Sequence, residues 1–153
     1  MKRVYLDNCC YNRPYDNQNQ LRIFLEGQAK MEIQRMIRDG ELELVTSYWT
    51  DIENADNPFL FRKENIAHFQ QSYASVYIGK GVDQQVNTLA KEIEQSGIKH
   101  KDACHAACAI IAKCDYLLTT DDRFLKMKDD RIRVMNPTQF IYEIEEDNHH
   151  EHC

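Results

Sequence analysis

Two apolar runs in this sequence stop on a carboxylate: "VYLD" ends at Asp7 and "YLLTTD" at Asp121. Two more acids stand where a fold could bring them alongside: Glu53, six residues after Ser47, and Asp102 in "HKDACHAACAI". Four converging carboxylates raise one another's pKa and cannot all stay ionised without a counter-charge. A hard divalent cation resolves that conflict. An all-oxygen donor set suits Mg²⁺ or Mn²⁺, as one ion or two, which keep several waters and bind phosphate oxygens. The chemistry expected is phosphoester hydrolysis by an acidified water, with charge stabilised on the phosphate and the leaving oxygen.

Rival chemistries find less in the residues. No serine–histidine or cysteine–histidine arrangement, glycine-rich phosphate loop or dinucleotide fingerprint competes. A haloacid-dehalogenase-like phosphatase with Asp7 as covalent nucleophile wants a second aspartate two residues on, where Cys9 stands. Among neighbouring acids, Asp51 and Glu53 share one helix and cannot both face the site at a two-residue offset. Glu53 fits better, and Asp122 reads as an exposed neighbour of Asp121. His105 follows Asp102 by one turn on the same face. It reads as a histidine hydrogen-bonded between helix and sheet, supporting the acids. Candidate phosphate or RNA contacts are Arg13, beside Asn12 in the loop after Asp7, Lys99 and Lys101 before Asp102, and Arg123 after Asp121. Arg62 and Lys63 read as ordinary exposed cations, and Tyr48 and Trp49 as packing residues.

The elements that must position these groups alternate in type. "RVYL" (3–6) predicts a strand, and "NRPYDNQNQ" (12–20) a loop. A helix is expected from about 18 to 38, with apolar residues at Leu21, Phe24, Leu25, Met31, Ile33, Met36 and Ile37 and Gly40 as its stop. "LELVT" (42–46) is a second strand, followed by Ser47 as the N-cap of "YWTDIENA". Pro58 restarts a helix through Ala74. "SVYIGKG" (75–81) reads as a short extended piece or a loop. Helices follow at 82–95, ended by Gly97, and at 100–114, the latter rich in small residues that allow close packing on a sheet. "YLLTT" (116–120) is a strand, "DDRFLKM" a turn or short helix, "IRVM" a last strand and "PTQFIYEIEE" a final helix. Strands separated by helical crossovers imply parallel pairing. The fold expected is three-layer α/β/α with a parallel central sheet of four to five strands. In such sheets ligands bind beyond the carboxyl ends of the strands.

The 153 residues point to one domain, 1–145, with a disordered acidic and histidine-bearing tail at 146–153. The net charge of −6 argues against binding nucleic acid through a broad basic surface, though not against a local basic rim around an acidic site. Six cysteines without an export signal or zinc spacing read as reduced, mostly buried thiols. No apolar run is long enough to span a bilayer, so a cytoplasmic location is expected.

Taken in order, "VYLDNCCYNRPYD", "SYWTDIENADNP", "GIKHKDACHAACAI" and "DYLLTTDDRF" resemble the successive motifs of PIN domains, the PilT N-terminus family. The similarity runs from Val4 to about Phe140, and the last two motifs are the most specific. The resemblance implies a PIN-like fold with an acidic quartet on Asp7, Glu53, Asp102 and Asp121, which would be both metal ligands and catalytic groups, supported by Asn8, Thr119 and His105. Asn8 stands where the family usually has a small hydroxyl residue. Chains of this length resemble the virulence-associated protein C ribonucleases, toxins of type II toxin–antitoxin pairs. That likeness implies an Mg²⁺- or Mn²⁺-dependent endoribonuclease leaving 5′-phosphate and 3′-hydroxyl ends, a homodimer, and a small antitoxin partner. The alternative is a non-catalytic PIN scaffold that binds RNA or a protein.

Overall fold

The structure, a computed structural model, describes residues 1–152, and side chains as far as residue 148. The order of elements is β1 (Lys2–Leu6), α1 (Asn8–Asn12), α2 (Leu21–Arg38), β2 (Leu42–Ser47), α3 (Tyr48–Ala55), α4 (Leu60–Tyr73), β3 (Ala74–Ile78), α5 (Asp83–Glu94), α6 (His100–Ile111), β4 (Tyr116–Leu118), β5 (Arg133–Met135) and α7 (Pro137–His152). Single 3₁₀ turns lie at Arg13–Tyr15, Lys80–Val82 and Phe124–Lys126. The strands form one sheet in the order β3-β2-β1-β4-β5, and every pairing is parallel. The expected three-layer α/β/α architecture is therefore present, with five strands.

Successive residues of a strand face opposite sides of a sheet, which gives the domain two cores. Tyr5, Val45 and Leu117 meet α5 and α6 on one side; Val4, Leu6, Leu44, Tyr116 and Leu118 meet α2, α4 and α7 on the other. The alanines and cysteines of α6 let its backbone lie close on the sheet: Ala103, Cys104, Ala106, Ala107, Cys108 and Ala109 are all fully buried. The five cysteines among the described residues are free, four of them buried. No helix among the described residues is long and apolar enough to cross a membrane.

Strand order reverses around β1, which pairs with β2 on one side and β4 on the other. The crevice beyond the carboxyl ends of β1, β2 and β4 is the position where open parallel sheets hold ligands.

Three readings of the sequence need revision. "SVYIGKG", left between extended piece and loop, begins in β3, an edge strand whose register slips between Leu44 and Val45 of β2. Residues 8–15, expected as loop from 12 onward, are helical, because the Asp7 side chain accepts the Asn8 N–H at 2.8 Å and caps α1. Helix α2 is turned relative to its apolar spacing: Leu21, Phe24, Leu25 and Met31 are exposed, whereas Glu26 and Lys30 are buried. Its inward stripe is Ala29, Ile33, Met36 and Ile37.

Glu26 explains the rotation of α2. Its carboxylate accepts from Arg13 Nε at 2.9 Å, Arg22 Nε at 3.1 Å and Asn136 Nδ2 at 2.5 Å. Breaking a buried ion pair strands its partners and costs about 3–5 kcal/mol. Because Arg22 is half exposed and can rehydrate, Glu26→Ala should cost about 2–3 kcal/mol, read as a lowered urea midpoint at unchanged m. An unchanged midpoint would show that the network is not holding α2 in place.

Candidate active site

Asp7 and Glu53 meet with His105 at the reversal crevice, and Asp102 stands near enough to feel the charges of Asp7, Asp121 and Glu53. Asp7 directly follows β1 and is buried. Its N–H donates to Leu118 O at 2.9 Å, and its Oδ2 accepts from Thr119 Oγ1 at 2.8 Å and Cys9 Sγ at 3.4 Å. Glu53 projects from α3, which Ser47 starts: Ser47 Oγ accepts from Trp49 N at 3.1 Å and Thr50 N at 3.3 Å, and Thr50 Oγ1 accepts from Ser47 N at 3.0 Å. Asp102 lies in the first turn of α6. Asp121 follows β4; its N–H donates to Thr119 Oγ1 at 3.1 Å and its Oδ1 accepts from Arg123 N at 2.9 Å. Thr119 thus joins the loop of one aspartate to the side chain of another.

The competing acids are occupied elsewhere. Asp51 accepts from Tyr77 OH at 2.7 Å, on the β3 side. Asp122 accepts from both terminal nitrogens of Arg22, at 3.1 and 2.8 Å, and is drawn toward α2.

His105 is more central than its sequence position suggests. It is fully buried, with Nε2 2.6 Å from Glu53 Oε1 and Nδ1 2.5 Å from Tyr5 OH. Tyr5 OH lies 2.7 Å from Ser47 Oγ. The chain Ser47–Tyr5–His105–Glu53 therefore ties the cap of α3 to the carboxylate that α3 carries. Atoms of Asp7, Glu53 and His105 that could serve as ligands all lie within 4.8 Å of one another. Both ring nitrogens of His105 already have hydrogen-bond partners, so it holds Glu53 in place instead of taking a metal.

Electrostatics within the cluster are repulsive. Burial pushes the Asp7 carboxyl above its ordinary range and Glu53 adds to that, against the opposing pull of His105 and Thr119. Asp102 is pushed up to about 6 by burial and by the charges of Asp7 and Asp121. Burial works against a charged His105, but the hydrogen bond to Glu53 and the charges of Asp7, Glu53 and Asp102 outweigh it and raise its pKa. Among the described residues no lysine or arginine forms an ion pair with any of the four acids.

A carboxyl whose folded pKa exceeds its unfolded value binds protons preferentially in the folded state, so stability falls as pH rises between the two values. For Asp102 that window runs from roughly 4 to about 6. Asp7 acts in the same sense, and His105 extends the loss above its ordinary pKa. After allowance for screening of a partly exposed group, Asp102 contributes about 1 kcal/mol, or a few degrees in Tm. Metal-free protein should melt higher at pH 5 than at pH 7.5, with the difference reduced in Asp102→Asn and on adding Mn²⁺. A Tm profile identical in wild type and Asp102→Asn would contradict the coupling.

The other predicted residues are scattered around the crevice. Asn8 and Lys101 line a cleft beside Glu53, and Lys99 and Arg123 are exposed on the segments flanking Asp102 and Asp121. Arg13 is committed to Glu26 at 2.9 Å and Asp16 at 3.2 Å, which leaves little of its guanidinium for a phosphate. Tyr48 is core and Trp49 packs against it. Residues 149–153, with the terminal histidines, lie outside the described side chains.

No protein-family model matches the sequence, and no curated protein does. Solved structures match its fold. The chain is similar to one in the crystal structure of VapBC2 from Rickettsia felis bound to a DNA fragment from its promoter, with TM-score 0.54 and 15% identity over 89% of this chain and 98% of that one. FitAcB from Neisseria gonorrhoeae matches with TM-score 0.51 and 16% identity over 88% and 97%. FitAB bound to an IR36 DNA fragment matches with TM-score 0.50 and 19% identity over 88% and 95%. The fold is thus the PIN-like one that the motifs resemble, shared with these assemblies across nearly the whole chain.

Proposed function

We propose that the protein is a divalent-metal-dependent endoribonuclease and the toxin half of a type II toxin–antitoxin pair. The observation that carries the reading is the carboxylate cluster at the reversal crevice, short of positive partners. Arginines pair with Asp16, Glu26 and Asp122, but the cluster has only His105 against four carboxylates. Its free donors are oxygens, which fit Mg²⁺ or Mn²⁺ better than zinc or copper. Asp7, Asp102 and Asp121 would hold the cation, with Glu53 binding directly or through water.

When bound, such a cation supplies an acidified water for attack on a phosphodiester and stabilises the charge that develops there. The chain's own residues provide the geometry. Thr119 and the Asn8 N–H fix the Asp7 carboxylate, and His105 fixes Glu53. Lys101, on the turn that carries Asp102, is placed to meet a phosphate. The resemblance to virulence-associated protein C ribonucleases and the fold shared with the VapBC2 and FitAB assemblies support the toxin role and an antitoxin partner. So do Leu21, Phe24 and Leu25 of α2, apolar side chains left in solvent that a partner or a second copy would cover.

The test is incubation of the purified chain with single-stranded RNA and Mg²⁺ or Mn²⁺, with end-group analysis of the products. Cleavage with 5′-phosphate ends, abolished by EDTA and by a co-expressed antitoxin, is expected. Undiminished cleavage in EDTA would overturn the metal mechanism.

A further inference from the structure

Between α1 and the α3–α4 junction a cleft of about 410 Å³ opens, with Glu53 of the acid cluster on one of its walls. Its volume is in the range of small-ligand pockets. Beyond Glu53 its walls carry three amides, Asn8, Asn12 and Asn57, and the ring of Phe59.

The amides are held in a fixed order. Asn12 Nδ2 donates to Asn8 O at 3.1 Å, and Asn57 Nδ2 donates to Asn12 Oδ1 at 3.1 Å. Asn57 Oδ1 in turn accepts from Phe59 N at 3.1 Å. One N–H of Asn57 and one lone pair of Asn12 remain, and Asn8 Nδ2 has no hydrogen-bond partner among the described residues. Asp56 also lines the cleft, and its carboxylate has neither a hydrogen bond nor an ion pair among the described residues. Phe59 is half exposed, with the Arg62 guanidinium 4.1 Å from its ring centroid. Asp16 at 3.2 Å and Tyr15 O at 2.9 Å fix that guanidinium. Lys101 stands at the margin, one residue before Asp102.

A planar apolar face, an ordered set of amide donors and acceptors, and a cation at the rim match the three parts of a nucleotide: base face, base edge and phosphate. We propose that this cleft is a subsite for an unpaired nucleobase next to the scissile phosphate. Phe59 stacks on the base, Asn8, Asn57 and Asp56 meet its edge, and Lys101 meets its phosphate. The proposal rests on the nuclease reading for its place in the reaction, but the subsite itself needs no cleavage to be observed. Asp56 can only accept, so it takes an N–H from the base edge: the exocyclic amino group of adenine, cytosine or guanine, or N3–H of uracil. Duplex RNA does not enter, since its base edges are paired and its faces stacked.

The experiment titrates the full chain, in EDTA, with each of the four nucleoside 5′-monophosphates and with ribose 5-phosphate, following Asn side-chain amide and Phe59 ring resonances by NMR. Saturable shifts of Asn57 and Phe59 with the nucleotides are expected. Ribose 5-phosphate should give none. Phe59→Leu, at an exposed position that leaves the fold intact, should weaken nucleotide binding by roughly tenfold, the size of one lost base–aromatic stack. Equal shifts with ribose 5-phosphate would reduce the site to a phosphate contact, and no shift with any nucleotide would remove it; either result overturns the proposal. Base-dependent shifts in a protein that never cuts RNA would overturn the nuclease reading and leave the subsite. RNA cleavage without base-dependent shifts would do the reverse.

Discussion

Asp7→Asn should lower Mg²⁺-dependent RNA cleavage by roughly 10³-fold or more, equivalent to about 4 kcal/mol of transition-state stabilisation, while the metal-free protein becomes no less stable. The two halves of this expectation come from the same charge. Asparagine keeps the shape of the side chain and an oxygen that can accept from Asn8 N, and the Thr119 hydroxyl can rotate to accept where it had donated. What disappears is a buried negative charge whose ionisation both burial and Glu53 resist. Without a cation that charge is a liability, and with one it is a ligand. Loss of activity together with an equal or higher Tm in EDTA therefore separates a ligand defect from a folding defect. A fall of several degrees in the metal-free Tm would instead make Asp7 a structural residue.

The second large effect is expected at His105, which the sequence suggests only as a supporting residue. His105→Ala should destabilise the protein by about 3 kcal/mol, from the void it leaves and from the unpaired groups around it. It should also weaken Mn²⁺ binding by roughly 10–100-fold, the usual consequence of removing the group that orients a metal ligand. The reason is the relay: with the imidazole gone, Glu53 loses its 2.6 Å contact and Tyr5 keeps only Ser47. His105→Phe refills the volume without restoring the hydrogen bonds. It should recover part of the stability and none of the affinity, as measured by denaturant titration and calorimetry. Wild-type Mn²⁺ affinity in both variants would show that Glu53 is held by something other than His105.

Much of the architecture is legible because local chemistry and global fold agree. β4 is a continuous apolar run and β1 ends in one, Val4–Leu6, the pattern of strands buried on both faces, and Ser47 caps α3 as its residue type and position suggest. Gly40 has φ of +78°, so the stop after α2 falls where the left-handed conformation is easiest for glycine. β3 was ambiguous because it is an edge strand, with burial that alternates between partial and exposed instead of being continuous. The apolar spacing of α2 does not fix its facing, because its apolar residues outnumber the positions the core can take. A buried carboxylate then decides which face turns in, and nothing in the spacing of Leu21, Phe24 and Leu25 encodes the pairing of Glu26 with Arg13, Arg22 and Asn136.

The same limit applies to the site. The strand-end acids stand out because a carboxylate closing an apolar run is conspicuous, and the arrival of Asp7 and Asp121 at one edge follows from parallel pairing of β1 with β4. The neighbours that aim them are less visible. The link from Tyr5 to His105 spans 100 positions of sequence, and that from Asn57 to Asn12 spans 45. Arg13 looks well placed for a phosphate when only its distance from Asp7 in the chain is considered. Its partner Glu26, half a helix away, changes that assignment.

One measurement bears most directly on the account: anomalous X-ray diffraction at the manganese edge from crystals grown with Mn²⁺. A strong peak bounded by Asp7, Asp102 and Asp121, with Glu53 in direct or water-bridged contact and the peak lost in Asp7→Asn, is the predicted result. Manganese seated elsewhere, or an empty crevice at saturating Mn²⁺, would contradict it.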